Sequence, residues 1–175
     1  MTNSPFSGQI FWNKWLPPKV NCFMWRVFLK RIQTKVNLSK RGIVMPSQRC
    51  PICNGEDETE DHLFLSCPVS KAVWTWIFKW CGVNMEQFNS LDHLLSILVD
   101  NATSAKKRMM SEAIVGGAVW SIWKARNNLV FKGNSFSAPI VFGEFQASLY
   151  TWVKYRGNCK SLLWQMWCSN PFSLL

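Results

Sequence analysis

Acidic residues are scarce in this sequence and unevenly placed. The 175 residues include 10 Asp and Glu against 20 Lys and Arg, which gives a formal net charge of +10. Residues 1–49 contain nine Lys and Arg but no Asp or Glu, whereas residues 50–67 contain five Asp and Glu but no Lys or Arg. Such a charge predicts adhesion to nucleic acid or to an anionic membrane surface, and by itself it predicts no particular fold.

Long hydrophobic runs are also missing. The longest apolar stretch, residues 113–123, has about half the length that a bilayer-spanning helix needs. The first residues contain no apolar run of the kind found in a signal peptide. Because 48% of the residues are hydrophobic and only 17% are charged, we expect a packed core. We also expect an intracellular protein, in the nucleus rather than in the cytoplasm, without membrane association.

Alternating β-branched residues, internal repeats and low-complexity segments are absent as well. Apolar residues keep helical spacing after Pro17 and Pro18, which can begin a helix but not continue one. Thr34 is expected to cap a second helix at its start, and Gly42 to end it in the left-handed conformation. The fold is therefore predicted to be mainly α.

Further helices are predicted along the rest of the chain. The segment 68–81 is apolar nearly all round, which indicates a helix that is either deeply buried or part of an interface. Residues 100–108 are typical of an exposed loop. A longer helix is predicted from Met109, in which Gly116 and Gly117 are expected to allow close helix contact rather than to break the helix.

Four residues have the spacing of a metal site: Cys50-x2-Cys53-x8-His62-x4-Cys67. Three thiolates and one imidazole suit a tetrahedral Zn²⁺, and four protein ligands leave no position for a water to be activated. We therefore predict a structural zinc ion as the cofactor. The five neighbouring carboxylates are interpreted as solvated residues of a turn and a helix start, with Thr59 as its N-cap.

Other uses of these cysteines are less well supported. The seven cysteines are an odd number, and without a secretory route a disulfide framework is not expected. A redox site lacks its usual strand–helix context, and a zinc deaminase would need a His-x-Glu motif before the cysteine pair. The remaining candidates are interpreted as ordinary thiols or as a histidine without a metal: Cys22, Cys81, Cys159, Cys168 and His93.

The combined motifs closely resemble the zinc-binding domain of plant LINE-type (non-LTR) retrotransposon reverse transcriptases. The resemblance covers roughly residues 10–81, and residues 119–131 resemble the helix that precedes the RNase H domain of such polyproteins. Gln33 stands where the family more usually has proline. The matching positions are Trp12, Pro17, Pro18, Lys19, Val20, Phe23, Trp25, Arg26, Thr34, Leu38, Arg41, Gly42, Cys50, Cys53, Glu58, His62 and Cys67.

This resemblance implies the domain organisation and the absence of catalysis. It implies a small helical zinc-binding domain with a Cys3His site over residues 1–82, followed by a helical C-terminal region. That region is predicted as a linker over 83–108, a helical segment over 109–156 and an irregular tail over 157–175. The paired aspartates of a polymerase and the acidic quartet of an RNase H are missing, so we expect a non-enzymatic fragment that takes no small-molecule substrate.

The resemblance also implies a nucleic-acid partner. We expect weak, sequence-tolerant binding of single-stranded or structured RNA or DNA through the basic segment, with Trp25 able to stack on a base. A reverse-transcriptase polymerase domain is a further expected partner. Two alternatives stay open: a helical module that docks to another protein through Trp74, Trp76 and Trp80, and a folded retroelement remnant without selected function. The residues of the basic segment are Lys14, Lys19, Arg26, Lys30, Arg31, Lys35, Lys40, Arg41 and Arg49.

Overall fold

The computed structural model describes residues 11–100 and 102–173. Helices make up 62% of the described residues, which include no strand, only an isolated antiparallel bridge between Arg49 and Asp57. The prediction of a mainly α fold is therefore confirmed. The ends of the predicted domain 1–82 and tail 157–175, namely residues 1–10 and 174–175, lie outside the described residues, as does position 101 of the predicted linker.

Within the described ranges the chain forms seven α-helices and one π-helical turn. They are α1 (Pro18–Phe28), α2 (Lys35–Lys40), the π-helical turn (His62–Ser66), α3 (Pro68–Cys81), α4 (Leu91–Asp100), α5 (Ala105–Lys132), α6 (Ala138–Arg156) and α7 (Trp164–Ser169). None of these described helices has both the length and the apolar character that crossing a membrane requires.

The first two helices begin and end where local signals place them. Pro18 occupies the first turn of α1, and the helix buries an apolar face that includes Phe23 and Met24. Thr34 accepts a hydrogen bond from the backbone N–H of Asn37 at 3.3 Å and so caps α2. Gly42 follows with φ of +81°, the left-handed conformation that favours glycine. These three predictions are confirmed.

Helix α5 lies at the centre of the fold and packs against α1, α4 and α6. It runs without a break through Gly116 and Gly117. A methyl group on Gly116 would lie 2.7 Å from Leu16 Cδ1, and one on Gly117 would lie 3.3 Å from the ring of Phe145. Both glycines therefore permit close contact with neighbouring elements, as the sequence predicts.

Helix α5 also begins earlier than Met109. Ser104 Oγ accepts a hydrogen bond from the backbone N–H of Lys107 at 3.2 Å and caps the helix. Part of the segment interpreted as an exposed loop is therefore helical. The preceding segment contains α4, which packs against α5. The division of the chain into domains stays a prediction.

The tail, predicted to be irregular, contains α7 and takes part in the core. Trp167 is fully buried, and its backbone carbonyl accepts a hydrogen bond from the indole N–H of Trp80 at 2.7 Å. Its own indole N–H donates to the carbonyl of Gln146 at 3.0 Å. These two indole hydrogen bonds hold α7 between α3 and α6. The periodicity of the sequence does not predict this arrangement.

Candidate metal centre

The cysteine pair lies in a tight turn of the segment that we call the knuckle, residues 49–67. The backbone N–H of Cys50 donates to the carbonyl of Glu56 at 2.7 Å, and that of Asn54 donates to the carbonyl of Cys50 at 2.9 Å. Asn54 has φ of +54°, which turns the chain sharply. The N–H of Gly55 donates to Cys53 Sγ, 3.4 Å away, and so helps to orient this side chain.

The second pair comes from the π-helical turn. The backbone N–H of Cys67 donates to the carbonyl of His62, five residues earlier, at 2.7 Å. In a regular α-helix, positions five apart point about 140° away from each other. The wider π turn, a feature often found at functional sites, brings His62 and Cys67 to one side. Thr59 Oγ1 accepts from the backbone N–H of His62 at 3.0 Å, which agrees with its predicted capping role.

The side chains of the four predicted ligands lie close together. Their ligand atoms all lie within 4.8 Å of one another, and His62 Nε2 is 3.2 Å from Cys53 Sγ. Sulfur ligands about 2.3 Å from a tetrahedral Zn²⁺ lie about 3.8 Å apart, so the arrangement fits such an ion with little adjustment. Three of the residues are buried and Cys53 is half-buried. Three thiolates and one imidazole are a donor set that suits zinc.

The side chains of Cys50 and Cys67 interact directly within the cluster. A hydrogen bond from the Cys50 thiol lowers the pKa of Cys67 to about 5, and the same bond raises the pKa of Cys50. Both sulfurs must be thiolates to bind a metal. Metal binding at this cluster should release protons. Outside the cluster, burial raises the pKa of the Cys81 thiol to about 12, which makes it unreactive.

Two carboxylates of the knuckle differ from the solvated residues that we predicted. Glu58 is fully buried, and Glu60 is 6% exposed and hydrogen-bonded to the side chain of Asn37. Glu56 is exposed, but its carboxylate lies 3.0 Å from His62 Nδ1. The prediction is wrong for Glu58 and Glu60, because their partners come from folding and cannot be read from the local sequence, whereas Glu56 is solvated as predicted. Asp61 is likewise exposed and pairs with Lys30.

Glu58 connects the knuckle to helix α5. Its two carboxylate oxygens accept from Arg126 Nε and Nη2, each at 2.6 Å, and Oε2 also accepts from the backbone N–H of Lys35 at 2.8 Å. Arg126 is 3% exposed and stacks on Trp123, 5.0 Å from the ring centre. This buried, bidentate pair is a charge-assisted contact that joins the knuckle to α5. The only sequence signal for it was Glu58 within the resemblance.

The nine cations of the basic segment lie on or beside α1, α2 and the knuckle, and five have partners within the fold. Lys30 pairs with Asp61, and Lys19 lies 5.7 Å from the ring centre of Trp120. The other three donate to backbone carbonyls: Lys35 to Arg49, Arg41 to Arg31 and Arg49 to Gly55. In the described part of the chain the side chains of the remaining four contact no hydrogen-bond or ion-pair partner: Lys14, Arg26, Arg31 and Lys40.

Comparison with known proteins agrees with the geometry of the cluster. No curated protein and no solved structure matches the chain. Residues 2–74 match the family model described as zinc-binding in reverse transcriptase, a segment that includes all four clustered residues, and no catalytic domain is matched. The match ends inside α3, so α4 to α7 and Arg126 lie beyond it. The first part of the chain is thus similar to the zinc-binding region of reverse transcriptases.

Proposed function

We propose that the chain is a non-catalytic module in which a structural zinc ion fixes the knuckle and the adjoining basic segment binds RNA or DNA. The observation that carries the proposal is the convergence of Cys50, Cys53, His62 and Cys67 to within 4.8 Å, inside the segment that matches the zinc-binding family. Four protein ligands complete a tetrahedron, so zinc would supply folding free energy and no activated water.

Charge supports the nucleic-acid part of the proposal. Residues 11–49 contain no Asp or Glu. The side chains of four cations of the basic segment have no hydrogen-bond or ion-pair partner among the described residues: Lys14, Arg26, Arg31 and Lys40. Contacts of such side chains with phosphates release counterions, which makes affinity fall steeply with salt. Trp25 is 47% exposed beside Arg26 on the outer face of α1, where an unpaired base has room to stack.

The zinc part is tested by native mass spectrometry and chelator competition on the full chain. We expect one Zn²⁺ per wild-type chain and none retained by Cys53→Ser under the same conditions. Cys168→Ser is the matched control, because this exposed thiol lies outside the cluster. Wild-type chain that takes up no zinc, or Cys53→Ser that binds zinc as tightly as wild type, would refute the site.

The nucleic-acid part is tested by titrating labelled single strands at two salt concentrations, with and without zinc. Each lost phosphate contact should reduce the slope of log K against log salt by about 0.7. Replacement of the four unpaired cations, Lys14, Arg26, Arg31 and Lys40, by Gln should therefore weaken binding and flatten the slope. Gln at Lys106, Lys107, Lys132 and Lys160 makes the same charge change elsewhere and is the control. Affinity that is independent of salt, or equal loss in both variants, would contradict a defined basic surface.

The more specific expectations belong to the same proposal. The motif positions around α1, α2 and the knuckle support an origin in a plant LINE-type retrotransposon, and such an origin would make a reverse-transcriptase polymerase domain a partner and the nucleus the place of action. Pull-down of a separately expressed polymerase domain, with the full chain as bait, tests the partner.

A protein-docking module remains the second candidate, because one of the three tryptophans of α3 is available. Trp74 and Trp80 are buried within the chain, whereas Trp76 is 45% exposed and stacks on Phe142. Trp76→Ala should leave nucleic-acid affinity unchanged. If instead the chain binds no nucleic acid and Trp76→Ala abolishes capture of the polymerase domain, docking is the better account.

A further inference from the structure

We propose that Glu56 is a positioning residue of the metal centre, which holds the His62 imidazole in the tautomer that ligates through Nε2. The inference rests on the proposed zinc site and goes beyond it, since Glu56 is not one of the four clustered residues. Its role would be exerted through the histidine and not by contact with the metal.

The two nitrogens of His62 have different surroundings. Nε2 faces the cysteines, 3.2 Å from Cys53 Sγ, while Nδ1 lies 3.0 Å from a carboxylate oxygen of Glu56 and 3.2 Å from Ser66 Oγ. A neutral imidazole has one N–H donor and one lone pair. Because an ionised carboxylate can only accept, a hydrogen bond with Glu56 requires the proton on Nδ1. The lone pair of Nε2 is then directed at the metal position.

The knuckle itself places Glu56. The carbonyl of Glu56 accepts the backbone N–H of Cys50 at 2.7 Å, in the same turn that presents the cysteine pair. The thiol pair and the carboxylate are therefore parts of one backbone arrangement. The imidazole, which is 4% exposed, is held between them.

Charge neutralisation does not explain Glu56. Zinc with three thiolates is already net negative, so another carboxylate is electrostatically unfavourable unless it makes a specific bond. Orientation and basicity of the ligating imidazole are what such an outer carboxylate improves, and its loss typically costs about 10–100-fold in metal affinity. Asp57, the next residue, has the same charge but contacts neither nitrogen of His62 among the described residues.

The test compares three variants of the full chain with wild type by chelator competition for Zn²⁺. Glu56→Ala should weaken zinc binding about 10–100-fold. Glu56→Gln keeps a hydrogen-bond acceptor without the charge and should weaken zinc binding less than Glu56→Ala does. Asp57→Asn removes the same charge as Glu56→Gln and should leave affinity nearly unchanged, which separates orientation from a general electrostatic effect.

A spectroscopic measurement checks the tautomer directly. The chain has two histidines, so ¹⁵N NMR of the zinc-loaded protein resolves His62, with exposed His93 as an internal reference. Wild type should show a protonated Nδ1 and a ligating Nε2, and Glu56→Ala should exchange the Nδ1 proton faster. Ligation through Nδ1, or a zinc affinity equal to that of wild type in all three variants, would overturn the inference while leaving the zinc site in place. Wild type that binds no zinc would refute the site itself.

Discussion

The knuckle and the helices behind it are held together by different interactions. The knuckle buries three polar residues, Glu58, Glu60 and His62, each with a hydrogen-bond partner, beside apolar core residues at positions 63–65. Buried groups between α5 and α6 are apolar, as with Ile114 and Leu149. Apolar burial stabilises in proportion to area, whereas a buried polar group gains little net and costs much when its partner is lost. The knuckle should therefore depend on individual partners, and the helices on their summed contacts.

Removal of zinc should give the largest difference between the two regions. Apparent binding free energies for structural zinc in short fingers are about 10–16 kcal/mol, so a knuckle without the ion has little to replace it. In hydrogen exchange of the chelated protein or of Cys53→Ser, we expect amides of residues 49–67 to lose protection first. Amides of α5 and α6 should keep most of theirs. Equal loss in both regions would mean that the metal stabilises the whole chain as one unit.

Arg126→Met should have the next largest effect, because it leaves the Glu58 carboxylate buried without its cation. Breaking such a pair from one side costs about 3–5 kcal/mol. Urea denaturation of the zinc-loaded protein measures this cost. Since the pair joins the knuckle to α5, the zinc affinity should fall as well.

The double variant Glu58→Met with Arg126→Met is the control for that experiment. It removes both charges from the interior, and it should be less destabilised than Arg126→Met alone. A double variant that is as unstable as the sum of the two single variants would indicate that the pair is not the source of the effect.

Leu149→Ala should lower the free energy of unfolding by the same amount whether or not zinc is bound. Leu149 is fully buried on α6 close to Gly117 of α5, and its truncation leaves a cavity that costs about 2–5 kcal/mol. The loss in free energy of unfolding should be similar with zinc and after chelation, and the zinc affinity should not change. A zinc affinity that falls as far as in Arg126→Met would contradict the separation of the two regions.

The sequence predicted what local signals encode. The spacing of the cysteines and the histidine predicted which four residues cluster, and Thr34 and Gly42 predicted the ends of α2. The partner of Glu58 is 68 residues away, and the Trp80 indole donates to a carbonyl 87 residues away. Nothing near either residue specifies such a partner, because a single sequence carries no record of which distant side chains meet. The buried carboxylates and α7 were missed for this reason.

Asp61→Asn should have the smallest effect on stability, although it also breaks an ion pair of the knuckle. The side chains of Lys30 and Asp61 are 56% and 67% exposed, and pairs in this setting contribute about 0–1 kcal/mol, less at high salt. The variant releases Lys30 for phosphate, so single-strand affinity at low salt should rise. Glu86→Gln makes the same charge change in the exposed loop after α3 and should raise affinity less. If Asp61→Asn destabilised the chain as much as Arg126→Met, burial would not be what separates the two ion pairs, and the contrast between the buried and the exposed polar partners of the knuckle would fail.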